Sequence, residues 1–204
     1  MTLGVALLVM MLFLYVSSDW IYGVYSELVK NVLVVYFFLF VMIHASLGTP
    51  ISLLNADILS VSYFSVGFIL TVIFMYPLAM VLPAGVLASV ETVKLSLGFG
   101  LLHGFVKAFI EEDVFRGVLL SRIGLYPSNI LFGLFHVGII IMTKSSMGQA
   151  ITLTSVAAPV VVLVLMGFIW SYLAKRFNLM AAVGSHFGYN LGVLGLLPKV
   201  VGVG

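Results

Sequence analysis

Apolar residues run through this chain in blocks, and between the blocks stand short clusters of Gly, Pro and basic residues. A hydrocarbon core of ~30 Å asks a helix for about 20 apolar residues, so each block predicts a membrane-crossing helix. Blocks fall near 2–17, 29–47, 58–82, 98–123, 127–143, 154–174 and 179–197. The separators "SLGTP" at 46–50, "LPAG" at 82–85, "GLYP" at 124–127 and "KRFN" at 175–178 carry the residue types that end helices. The first block lacks a basic leader, and "SSDW" is not a small-residue cleavage site, so it reads as a span rather than a signal peptide. The stretch 84–97, "GVLASVETVKLSLG", fits either an interfacial amphipathic segment or an eighth crossing. No internal repeat is visible. The predicted fold class is all-α: a polytopic transmembrane bundle of about seven to eight helices. It forms one integral-membrane domain over 1–204, with its motif-bearing core at about 98–197 in the C-terminal half.

Composition sharpens this. Of 204 residues, 63% are hydrophobic and 8% charged, and the mean hydropathy is +1.28. Ordinary soluble domains carry about 25% charged residues, so the expected setting is the lipid bilayer, multi-pass, and the cell membrane if the source is prokaryotic. The chain has no cysteine, which excludes a thiol nucleophile, a disulfide and a cysteine metal site. A net charge of +2, scattered along the chain, offers no footprint for nucleic acid and no polybasic lipid patch. Lys30, Lys94, Lys144 and Lys199 fall on one side of a seven-span arrangement and Arg122, Lys175 and Arg176 on the other. That balance selects no orientation.

The few polar groups inside the blocks are where chemistry must lie. "AFIEEDVFRGVLL", residues 108–120, sets four charges in an apolar run. Each ionised side chain facing lipid at mid-membrane would cost ~2.5–3.5 kcal/mol, so they must face protein or water. Glu112 and Arg116 stand i, i+4 with the glutamate first, the spacing of an intrahelical ion pair. Glu111 points about 100° away, and on its own face Lys107 and His103 precede it by one and two turns. A helix end at the interface would also tolerate such charges, but "GVLLSRIG" continues apolar beyond them. Two later blocks contribute similar groups. Ser128, Phe132 and His136 stand at successive i, i+4 steps, and His186 and Asn190 share one helix face. Singly, a buried histidine is most often a satisfied core residue, and an intramembrane asparagine is often interhelical glue. Three spans each presenting ionisable or amide groups point instead to a functional site.

In order, "EEDVFR" fits E-E-x-x-x-R, "FGLFH" fits F-x-x-x-H and "HFGYN" fits H-x-x-x-N. This set resembles the motifs of the CPBP intramembrane protease family, which includes the type II CAAX prenyl endopeptidases and the bacterial Abi proteins. It covers about residues 105–195, and Ser128 extends the match. The resemblance implies that Glu111 and His136 bind and activate a water for attack on a peptide carbonyl, with His186 and Asn190 stabilising the oxyanion. It implies a structural or substrate-binding part for Glu112 and Arg116, and none for Asp113. The implied substrate is a membrane-anchored protein or peptide, cut near its C-terminus after a lipidated cysteine in the CAAX-processing members.

A metal is the competing mechanism. Glu111, His136 and His186 compose a His₂Glu set, one of the catalytic zinc arrangements with a position open for water. The metal-free version is preferred because Asn190 is a poor zinc ligand and the chain has no H-E-x-x-H. No G-x-S-G or G-x-G-D supports a serine or aspartyl intramembrane protease, and Ser185 and His186, as helix neighbours, point apart. Gly133, Gly138, Gly184, Gly188, Gly192 and Gly195 are read mainly as sites of close helix packing. Two other classes stay open: a non-enzymatic membrane immunity or scaffold protein, and a small proton-coupled transporter.

Overall fold

The computed structural model describes residues 3–23, 26–47, 58–81 and 97–193. Among them the chain forms helices and no strand: α1 (Leu3–Val16), α2 (Ser18–Tyr22), α3 (Ser26–Leu47) and α4 (Ile58–Val81) in the N-terminal half. Then come α5 (Leu97–Glu112), a π-helical segment Asp113–Leu119, α6 (Leu120–Ile123), α7 (Leu125–Ser146), α8 (Leu153–Arg176) and α9 (Leu179–Val193). The predicted blocks are therefore helices, with the block at 98–123 running through three joined pieces. Segment 82–96, which bears on an eighth crossing and contains Lys94, lies outside the described residues, as do Gly195 and Lys199.

Local chemistry sets the ends. Gly124, at φ 87°, breaks the chain between α6 and α7 in a conformation that side chains disfavour. At the start of α8 the Thr152 side chain accepts from the Ser155 amide while Ser155 answers the Thr152 amide, a reciprocal cap. At the foot of α3, Lys30 lies 2.9 Å from Asp19 of α2. That ammonium, with Ser26, holds the Asp19 carboxyl below its usual range.

The polarity of the bundle is that of a membrane protein. Three helices, Ser26–Ser46, Leu125–Ser146 and Leu153–Arg176, are long and apolar enough to cross a bilayer, and α4 contributes a shorter apolar stretch, Leu59–Phe74. Their outer faces expose large apolar side chains, such as Phe38, Phe74, Leu134, Leu165 and Ile169. The interior, by contrast, holds Glu111, Glu112, Asp113 and Arg116. Charges inside and leucines outside is the inverse of a soluble domain, and lipid is the solvent that makes it stable.

The centre of the bundle is α9, buried at every position from Met180 to Gly188. Small residues let other helices reach it. A Cβ on Gly184 would stand 2.0 Å from the Phe64 carbonyl oxygen, and one on Gly67 would stand 2.1 Å from that of Ala181, so α4 and α9 touch backbone to backbone. Gly133 packs likewise against Val164 and Val160 of α8, and Gly188 against Thr71. Gly138 does not follow the packing expectation: nothing lies within 4 Å of its Cβ position.

Candidate active site

The charged run opens where α5 changes pitch. After Glu112 the helix widens into a π turn, in which the Leu120 N–H reaches back five residues to the Phe115 carbonyl. Such single wide turns recur at functional sites. The Ser128 hydroxyl donates to the same carbonyl at 2.8 Å, fastening α7 beside the turn. Three consecutive acids, Glu111, Glu112 and Asp113, are thereby fully buried, and because successive residues point about 100° apart each meets a different partner.

Glu111 is the hub. The Tyr36 hydroxyl of α3 donates to its Oε1, His136 Nε2 of α7 lies 3.2 Å from Oε1 and His186 Nε2 of α9 lies 3.2 Å from Oε2. Lys107, one turn earlier on the same helix, stands 3.9 Å from Oε1. With contacts from α3, α7, α9 and its own helix, Glu111 is the best-connected acid in the described residues.

Both imidazoles are oriented from behind. His136 Nδ1 lies 2.8 Å from the Phe132 carbonyl, which can only accept, so that nitrogen carries the hydrogen. His186 Nδ1 lies 2.7 Å from Glu112 Oε1 and donates to it in the same way. Each Nε2 therefore turns toward one oxygen of Glu111, while His136 Nε2 and Glu111 Oε2 are buried without a hydrogen-bond partner. A lone pair facing a carboxylate repels it, so the cluster is built to hold a shared proton or a bridging hydroxylic group.

Glu112 anchors the other side. Its Oε1 accepts from Arg116 Nη1 at 3.1 Å as well as from His186. Arg116 in turn donates to Asn129 Oδ1 at 3.2 Å and lies over the Phe132 ring, 4.3 Å from its centroid. Ser171 also donates to Asn129 Oδ1, at 3.0 Å. Gly167 makes the room: a Cβ there would stand 2.8 Å from Asn129 Oδ1 and 2.9 Å from Arg116 Nη2. Glu112 and Arg116 thus stand in one buried network with His186, Asn129 and Phe132.

The structure gathers Glu111, His136 and His186 at one point, with Glu112 and Arg116 behind them. Asn190 is not part of that contact set; its amide donates to the Gly104 carbonyl of α5 at 3.2 Å. Asp113, to which the sequence motif assigns no part, is fully buried and lies 2.6 Å from His44 Nε2 of α3. Ser185 is engaged with Thr71 at 2.7 Å and with Trp170 Nε1 at 3.2 Å, so it makes no pair with His186. Sequence reasoning missed Tyr36, His44, Asn129 and Trp170. Trp170 stacks flat on His186, and its only sequence signal was a tryptophan inside an apolar run.

The donor types of Glu111, His136 and His186 suit zinc, and the two Nε2 atoms face different oxygens of the carboxylate, each at 3.2 Å. Among the described residues no three His, Asp or Glu side chains are grouped so as to hold a metal ion. A small cavity, with room for about one water molecule, is lined by Leu33, Tyr36, His103, Val106, Lys107 and Ile110.

Residues 93–192 match the family described as type II CAAX prenyl endopeptidase, Rce1-like. No curated protein and no solved structure matches the chain.

Proposed function

Taking as premise the type II CAAX prenyl endopeptidase family that residues 93–192 match, we propose that this chain is an intramembrane endopeptidase acting on a membrane-anchored, CAAX-type substrate. The observation that carries the reading is the convergence of His136 and His186 on the two oxygens of one buried glutamate, each at 3.2 Å. A carboxylate flanked by imidazoles is the equipment of general acid–base catalysis.

A water held by Glu111 and His136 Nε2 gives one proton to Glu111 as its oxygen attacks the peptide carbonyl carbon. The C–N bond then breaks, and Glu111 returns that proton to the departing amine. His136 orients the water through its ring nitrogen, its other nitrogen being fixed by the Phe132 carbonyl. His186, held by Glu112 and Trp170, donates toward the oxyanion when its ring carries a second proton. Asn190 has a second amide hydrogen beyond the one given to Gly104 and assists from the next turn of α9. A zinc-dependent version would use Glu111, His136 and His186 as ligands.

The test is cleavage of a farnesylated CAAX peptide, and of a panel of membrane-anchored peptides, by detergent-purified protein. Glu111→Gln and His136→Ala should each lower the rate by about 10²–10⁴-fold. Failure of the wild type on every peptide, or full activity in Glu111→Gln, would overturn the proposal and favour the scaffold or transporter classes.

A further inference from the structure

Hydrolysis needs a hydrogen-bond donor free to follow the charge that develops on the carbonyl oxygen, and most donors around Glu111 are committed elsewhere. His136 Nδ1–H is given to Phe132 and His186 Nδ1–H to Glu112. Both Arg116 NH₂ groups serve Glu112 and Asn129, and Asn190 keeps one amide hydrogen beyond the one it gives to Gly104. The Tyr36 hydroxyl differs in two respects. Its acceptor is the catalytic carboxylate itself, and its side chain lines the small cavity that Lys107 also borders. Nothing in the matched family segment contains it, since that segment begins at residue 93.

We infer that Tyr36 is a catalytic residue that hydrogen-bonds the carbonyl oxygen of the scissile bond, a role resting on the proposed protease reaction. In the resting site the phenol donates to Glu111 Oε1, the strongest acceptor in reach. When Glu111 takes the proton of the attacking water, its oxygens lose their negative charge while the substrate's carbonyl oxygen gains one. A hydrogen bond follows the charge, so the phenolic O–H turns from Glu111 to the oxyanion. The phenol keeps its own proton throughout. Water supplies the proton that Glu111 holds and later gives to the departing amine, so the step balances without another reactant. Collapse of the tetrahedral species restores the carboxylate, and the hydroxyl returns to it.

The surroundings suit this motion. The Tyr36 ring is buried and packs edge-on against Phe135, with centroids 5.6 Å apart, so the ring stays fixed and only the hydroxyl rotates. Lys107, on the wall of the same small cavity, places a positive charge 3.9 Å from Glu111 Oε1 and adds to the potential that favours an anion there.

Tyr36→Phe is the test, because it deletes the hydroxyl and keeps the ring packing. With the peptide that the wild type cleaves, kcat should fall by about 10²–10³-fold with KM little changed. Affinity for a phosphinic peptide, a tetrahedral anionic mimic, should fall in parallel, while thermal stability in detergent stays that of the wild type. A kcat within about threefold of wild type, or unchanged affinity for the phosphinic peptide, overturns the assignment. Absence of wild-type cleavage would instead count against the protease reading itself, so the two failures are distinguishable.

Discussion

His186 lies flat against the indole of Trp170, the ring centroids 3.8 Å apart and the planes 10° from parallel. The stack covers one face of the ring that joins the two glutamates, and the indole N–H is held by Ser185. Trp170→Ala should destabilise the protein by about 3–5 kcal/mol and release the imidazole. Thermal unfolding in detergent and peptide cleavage should both report the loss, whereas Trp170→Phe should retain part of each. An unperturbed Trp170→Ala would show that the hydrogen bond to Glu112 alone holds His186.

The Glu112–Arg116 pair should be strongly non-additive. Both side chains are sequestered, so removing the cation leaves a carboxylate in an apolar interior, and Arg116→Met should cost about 3–5 kcal/mol. The double variant Glu112→Gln/Arg116→Met removes both charges and should recover part of that loss. Comparing unfolding midpoints of the two singles and the double is sufficient; simple additivity would mean the pair is solvated.

Glycine substitutions should divide by what a new methyl group meets. Gly67→Ala drives a Cβ into the Ala181 carbonyl and must part α4 from α9, with a penalty of at least about 1–3 kcal/mol. Gly138→Ala meets nothing within 4 Å and should leave the midpoint unaltered. Equal effects at the two sites would refute the backbone contact between those helices.

Metal removal separates the two hydrolytic mechanisms. If Glu111 and His136 activate water directly, dialysis against a strong chelator should leave the cleavage rate unchanged, and metal analysis of active protein should find no stoichiometric zinc. Loss of activity on chelation, restored by zinc and by no other divalent ion, would make Glu111, His136 and His186 ligands.

Helix positions were legible because the bilayer imposes length and apolarity together: the block at 58–82 became Ile58–Val81 and the block at 29–47 lies within Ser26–Leu47. Relationships within one helix were legible too, since spacing alone places Arg116 one turn beyond Glu112. Tyr36 was not, because it meets Glu111 across 75 residues of chain and reads in "VVYFFLF" as one aromatic among several. Motif logic also passed over Asp113, whose partner His44 is 69 residues away. What periodicity cannot supply is which face of one helix meets which face of another. That is decided by small residues such as Gly67 and Gly184, whose effect is visible only when the backbones touch.

The wide turn at Asp113–Leu119 makes chain length, as much as residue identity, a property under constraint. A π turn is arithmetically an α-helix with one residue inserted, and the two halves it joins are out of phase. Deleting a single residue there would restore the regular pitch and rotate everything beyond it by about 100° relative to the glutamates. Phe115 would lose its register with Ser128, and the break at Gly124 would launch the next helix, with His136, in a different direction. A conservative substitution in this turn alters one contact; a one-residue deletion reindexes the whole C-terminal half.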